Sequence, residues 1–304
     1  MRLGVMFDRA RPPEELVPFA LTIDAMGLDE LWVVEDCFWV GGLTSAAAAL
    51  AITTRLTVGL GIAPAPLRNV AVMAMECANL ARIAPGRFVV GVGHGVQGWM
   101  EQVGERVESP LTLLDETVSA LRALLHGQTV TKEGRYVKLR DVTLVHAPNV
   151  VPSVVIGVVR PRSLELSGRV ADGTILCEGT SPASVATSVA HIERGKTAAA
   201  VGHAGGPVAP PEHHTIVVFA HLAVRDDPAE ARAAVATAIE DAAGFQGVPV
   251  ADDLALWGTA AQVSAGVARF ADAGVDSLVL RPVGADPEGQ MRQLVDARRG
   301  PSGR

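Results

Sequence analysis

Short apolar runs alternate with amphipathic stretches along most of the chain. Residues 3–7 form the first run, and Pro12 and Pro13 then open a helical stretch that Gly27 ends. Proline suits a first helical turn because its missing N–H would have no partner there. The cycle repeats with strands predicted at 30–34, 56–60 and 87–91 and helices at 41–54 and 70–83. A longer loop, 93–110, precedes a helix over 111–125. The alternation resumes with strands at 153–156, 173–176, 216–224 and 277–280, and helices at 164–170, 182–197, 228–242, 259–273 and 291–297. Apolar runs without a polar alternate position mark strands buried on both faces, as in parallel sheets.

Eight β–α steps in succession predict the α/β class and, specifically, a (β/α)8 TIM barrel occupying 1–304 as one domain. An open doubly wound sheet is the alternative. It would carry a glycine-rich phosphate loop at its first β–α turn, and residues 8–13 contain no glycine. One interruption, at about 127–147, reads as a small hairpin insertion. There Thr129-Val130-Thr131 and Tyr136-Val137-Lys138-Leu139 flank Gly134. A Gly- and Pro-rich segment at about 202–213 predicts a surface loop.

Composition narrows the function. Hydrophobic residues are 49% of the 304, enough for a large core and too many for disorder. The formal charge is −7 with no basic run, which argues against nucleic acid, whose phosphates demand clustered Lys and Arg. The three cysteines, Cys37, Cys77 and Cys177, have no metal-ligand spacing. Their sparse, odd number predicts reduced thiols and a cytoplasmic protein. No apolar run approaches the roughly 18 residues of a membrane helix, so no membrane association is expected. No metal-ligand motif, nucleophile elbow or Walker loop occurs.

In a barrel, chemistry sits at the C-terminal ends of the strands. The second strand ends in Glu35-Asp36-Cys37-Phe38-Trp39, acids and aromatics in a chain with few aromatics. The third ends in Gly61-Ile62-Ala63-Pro64, where glycine permits a bulge. After the fourth come Gly91-Val92-Gly93-His94-Gly95-Val96. Val96 stands where G-x-G-x-x-G needs its third glycine, so this is no dinucleotide fingerprint, yet it lets the backbone approach a ligand beside His94. After the fifth, Gly157-Val158-Val159-Arg160-Pro161-Arg162 runs into a helix. Free N–H groups and two guanidiniums there make the best phosphate site in the sequence. Cys177-Glu178-Gly179-Thr180 follows the sixth strand.

Taken together, LWVVEDCFWVGG (31–42), VGLGIAPAPLR (58–68), ANLARIAPGRFVVGVGHG (78–95), RPRSLELSGRVADG (160–173), the hairpin segment and the AGVDSLVL ending resemble the bacterial-luciferase-like (β/α)8 oxidoreductases. The resemblance is to the deazaflavin-dependent branch that includes methylenetetrahydromethanopterin reductase. It implies coenzyme F420, or alternatively FMN, in the barrel mouth and hydride exchange with a small-molecule substrate. It also implies a non-proline cis peptide at Gly61–Ile62 behind the cofactor ring and the phosphate near Val158 to Arg160. Cofactor contacts are then expected from Gly61, Ile62, Ala63, Gly93, Gly95, Val96, Gly157, Val158, Val159, Arg160 and Glu178, and catalytic roles for Asp36, Cys37 and His94.

Two departures matter. Cys37 stands where related dehydrogenases have histidine, and Val96 where they have glutamate. This disfavours alcohol or sugar-phosphate oxidation and favours a substrate such as an enone, imine or pterin-like ring, where the cofactor does the hard chemistry. An FMN-dependent monooxygenase or reductase, or a non-catalytic flavin binder, are the alternatives. The resemblance further implies a homodimer, through the Ala-rich helices at 44–51 and 70–80.

Overall fold

The computed structural model describes residues 1–201 and 208–299, so part of the expected loop at 202–213 lies outside the described residues. In chain order the elements are β1 Arg2–Met6, α1 Leu16–Met26, β2 Glu30–Val33, α2 Gly42–Ile52, β3 Thr57–Pro64, α3 Val70–Ile83 and β4 Phe88–Gly93. Then come α4 Gln97–Gln102, α5 Pro110–Leu125, the hairpin β5 Val130–Glu133 and β6 Lys138–Val142, β7 Ser153–Gly157, α6 Pro161–Val170, β8 Gly173–Leu176 and α7 Pro182–Val201. The chain finishes with β9 Thr215–Val224, α8 Pro228–Ala234, α9 Ala236–Gln246, β10 Leu256–Gly258, α10 Ala260–Asp272, β11 Ser277–Pro282 and α11 Pro287–Arg299.

Strands β1, β2, β3, β4, β7, β8, β9 and β11 pair in parallel in that order, and β11 returns to β1. This is the expected closed (β/α)8 barrel. The antiparallel β5–β6 hairpin is the expected insertion, and Glu116 of α5 holds it by accepting from the N–H groups of Arg135, Tyr136 and Val137 at 2.7–2.9 Å. Three details differ from the sequence reading. The loop at 93–110 contains α4, the helix expected over 228–242 breaks at Val235 into α8 and α9, and β10 adds three residues beside the end of β9. Among the described residues no helix is long and apolar enough to cross a membrane.

Side chains of alternating parity fill the barrel. Met6, Trp32, Val34, Val89, Val155, Ile175, Val217, Phe219 and Val279 form the interior cluster, with Ile62 packed on it. Trp32 and Phe219 meet edge-on at 5.3 Å between ring centroids. At the bottom, the fully buried Glu30 accepts from Trp32 Nε1 at 2.7 Å and Ser277 Oγ at 2.5 Å, and pairs with Arg2 at 2.9 Å. A buried carboxylate needs these partners to offset its lost hydration. The floor is therefore sealed and the opposite end stays open.

Outside the barrel, α6 and α7 approach backbone to backbone. A Cβ at Gly168 would lie 2.0 Å from the Ile192 carbonyl oxygen, and one at Gly195 1.9 Å from that of Glu165. No side-chain rotation relieves a clash with a carbonyl. Gly168→Ala is therefore expected to lower stability by about 1–3 kcal/mol, the range for overpacking. Urea denaturation checks this, and an unchanged midpoint would contradict the packing described.

Candidate active site

A cavity of about 1190 Å³ opens at the C-terminal ends of the barrel strands. Its wall has two unlike halves. On the side of β3, β4 and β7, Ile62 occupies space left by glycines: a Cβ on Gly93 would lie 2.8 Å from Ile62 Cδ1, and one on Gly157 2.6 Å from Ile62 Cγ2. The pairing of β3 with β4 shifts register between Leu60 and Ala63, the expected bulge, and the Gly61–Ile62 peptide is cis, as is Cys37–Phe38. The glycines at these strand ends thus make room for Ile62, a use the sequence reading assigned to ligand approach.

The other half is polar. Arg281, on β11, donates to Asp8 at 2.7 Å and to Glu178 at 3.2 Å. Burial alone would raise the Asp8 pKa, but the Arg281 guanidinium and the Ala10 N–H bring it below the usual carboxylate range. His221 of β9 lines the cavity beside them. At the mouth, Arg9 donates to Asp36 at 2.6 Å and lies 4.4 Å from the Trp39 ring centroid and 5.9 Å from that of Trp99. Such cation–π contacts hold a guanidinium over an aromatic face. Glu35 is held by both Arg68 Nη atoms, at 2.6 and 2.8 Å.

The rim at β7 differs from these paired groups. No side chain caps the N-terminus of α6, and Arg162, exposed in its first turn, makes no hydrogen bond or ion pair to a described residue. Arg160 is spent on the Gln246 carbonyl oxygen at 3.0 Å, and the Val158 N–H donates to Ile175 at 3.3 Å. Gln246 Nε2 also donates to the Glu178 carbonyl oxygen at 2.8 Å, tying α9 to the β8 loop.

Of the residues expected from sequence, Asp36, His94, Gly61, Ile62, Gly95, Val96, Gly157, Val158, Val159, Arg160 and Glu178 line the cavity. Cys37, Ala63 and Gly93 are not part of its lining. Ala63 is fully buried in the barrel wall. Burial, reinforced by the Glu35 and Asp36 carboxylates, raises the Cys37 pKa, so its thiol is neutral at pH 7. His94 Nε2 lies 3.2 Å from Ser163 Oγ, linking the β4 loop to α6. The sequence reading missed Asp8, Arg9, Trp99, His221 and Arg281. For His221 and Arg281 a signal existed: each continues the inward parity of its strand (Val217, Phe219; Val279) by two residues.

A family model described as luciferase-like monooxygenase matches residues 1–277. The chain belongs to the luciferase-like monooxygenase family. Its relatives include a 5,10-methylenetetrahydromethanopterin reductase from Methanolobus tindarius, 28% identical over 235 residues, covering 77% of this chain and 69% of that protein. An F420-dependent glucose-6-phosphate dehydrogenase from Kineococcus radiotolerans is 31% identical over 182 residues, covering 55% of this chain and 53% of that protein. The match thus spans about half the length of that dehydrogenase. Among solved structures, the coenzyme F420-dependent tetrahydromethanopterin reductase from Methanopyrus kandleri superimposes with a TM-score of 0.82 at 18% identity, covering 97% of both chains. An F420-dependent secondary alcohol dehydrogenase, solved with an F420–acetone adduct, gives 0.83 at 19% identity, covering 98% of this chain and 99% of that one. Both share the luciferase-like barrel.

Two imidazoles of this luciferase-like cavity are depressed below the ordinary 6.5, His94 and His221, in both cases chiefly by burial. Unfolded, each takes up a proton as the pH falls through 6.5; folded, only at lower pH. Their contribution to stability is therefore complete above pH 6.5 and is lost as the pH falls below it. Histidine side-chain NMR titration should place both midpoints below 6.5, and a midpoint above that value would refute the assigned burial.

Proposed function

We propose that this luciferase-like barrel is an oxidoreductase that binds coenzyme F420 in the cavity and exchanges a hydride between it and a small organic substrate. The observation that carries the reading is the N-terminus of α6, with no side-chain cap and with an Arg162 that has no partner among the described residues, opening onto a cavity floored by an isoleucine wedged among glycines. Pro161 has no N–H, and Ser163 and Leu164 donate to the Arg160 carbonyl oxygen. The Arg162 N–H and guanidinium are therefore the donors of this turn that suit a phosphate, and the apolar floor suits a flat ring. The activities of the relatives, reductase and F420-dependent dehydrogenase, point the same way. The residues present therefore fit the group.

When bound, F420 supplies the hydride carrier at the reacting centre. The protein's own part is to bind, orient and exclude water. Arg162, in the first turn of α6, would hold the phosphate, and Ile62, Gly95 and Val96 would line the ring's place. Asp36 is engaged with Arg9 and His94 with Ser163, so both serve as polar walls of the site, and the neutral Cys37 thiol shapes the β2 loop from outside the cavity. Three cysteines without disulfides suit a cytoplasmic location.

Replacing Arg162 with Ala should weaken F420 binding about 10- to 100-fold at low salt, equal to roughly 1–3 kcal/mol for a charge-assisted hydrogen bond. Arg160→Ala should cost less, because its guanidinium already serves Gln246. Fluorescence titration with F420 and, separately, FMN checks both the ranking and the cofactor. Tighter binding of FMN than of F420 would overturn the F420 reading.

We also read the protein as a homodimer. On α3, Val72, Met75 and Ile83 are 48%, 61% and 60% exposed along one face, which also carries Asn79, and α3 packs against the Ala-rich α2. Sedimentation should report a dimer at micromolar concentration, and Met75→Glu should shift it to monomer. A wild-type monomer would dismiss this assembly.

A further inference from the structure

His221 stands two residues beyond Phe219 and four beyond Val217 on β9, the side chains that fill the barrel beneath it. That parity carries its imidazole to the cavity wall. The charged groups around it are already matched or acidic. Arg281 donates to both Asp8 and Glu178, and Asp241 of α9 adds a further carboxylate to the lining. Three carboxylates thus stand against one guanidinium, and an anion brought to this wall meets repulsion instead of a free cation. His221 itself has no hydrogen bond to a described residue, and its Nδ1 is buried without a partner.

Burial lowers the imidazole pKa, Arg281 acts in the same sense, and Glu178, Asp8 and Asp241 oppose it. A neutral ring carries one N–H. Placing it on the sealed Nδ1 would strand a donor, which is costly. The Nε2–H tautomer leaves Nδ1 an unpartnered acceptor but turns the ring's one donor toward the cavity, where a ligand can take it up.

We propose that His221 is a substrate-binding residue whose Nε2–H donates to an uncharged acceptor, a carbonyl oxygen or imine nitrogen, and that the acidic excess around Arg281 keeps anionic substrates out of this subsite. The inference rests on reading the cavity as an oxidoreductase site and deepens it by naming the substrate class: small, uncharged C=O or C=N compounds.

Benzamide and benzoate, matched in shape and differing in charge, test this by 15N NMR of the histidine side chains, with and without F420. The His221 resonance is assigned by its loss in His221→Phe or His221→Gln. Benzamide should shift that resonance, and benzoate should bind there at least about tenfold more weakly. His221→Phe should lower benzamide affinity about tenfold, and His221→Gln, which keeps an N–H near the Nε2 position, should restore most of it. F420 affinity should be unchanged in both variants. Benzoate shifting His221 as strongly as benzamide, or benzamide leaving it unmoved, would overturn the proposal. So would a loss of F420 affinity in His221→Phe with benzamide binding intact, since His221 would then serve the cofactor. Failure of the wild-type protein to bind F420 would sink the cofactor reading alone, because the His221 comparison is read on the cofactor-free protein too.

Discussion

A steric exchange at the end of β3 governs the rest of the site. Ile62 projects from a bulge into space that exists only because Gly93 and Gly157 carry no side chains. Interiors are packed too densely to leave such room unfilled or to share it. Below it, Gly59 and Gly61 yield similarly to Trp32 and Phe219, where Cβ atoms would come within 2.2 and 2.6 Å of the rings. The apolar floor is thus one interlocked layer from the Trp32–Phe219 pair up to Ile62. Enlarging any of these glycines would disturb the floor before it disturbed a ligand.

Above that layer, charge is distributed by pairing. Arg9 answers Asp36, Arg68 answers Glu35, and Arg281 answers Asp8 and Glu178. Each guanidinium joins two strand ends or their loops, so the mouth is stitched together by the same contacts that neutralise it. Partly exposed pairs of this kind add little stability singly. Their larger effect is selective: with these cations satisfied, Arg162 in the first turn of α6 is a rim guanidinium with no partner among the described residues.

The eight barrel strands were legible because strands buried on both faces leave continuous apolar runs, and the β7–α6 junction because Pro161 and two arginines punctuate it. Elements too short for a periodic signal escaped: α4, interrupted by Gly98, and the three-residue β10. Strand-end reasoning found Asp36, His94 and Ile62, since those residues follow apolar runs in sequence. It missed His221, which lies inside the run 216–224, and Arg281, which directly follows the run 277–280; parity counted from the barrel interior exposes both. Cys37 follows Asp36 in sequence yet is not part of the cavity lining. Adjacency to Asp36 in sequence says nothing about direction once the chain leaves the strand.

The backbone contact between α6 and α7 bears on binding as well as folding. Gly168 and Gly195 let the two helices touch along their main chains, and neither can rotate or slide without driving a carbonyl into its neighbour. The first turn of α6 is therefore held in direction by a crossing near the helix's other end. Ordering a flexible donor loop around a ligand sacrifices conformational entropy that must be recovered from contacts. Here that loss falls at folding, through two missing methyl groups remote from the cavity, and the helix start meets its ligand already aimed.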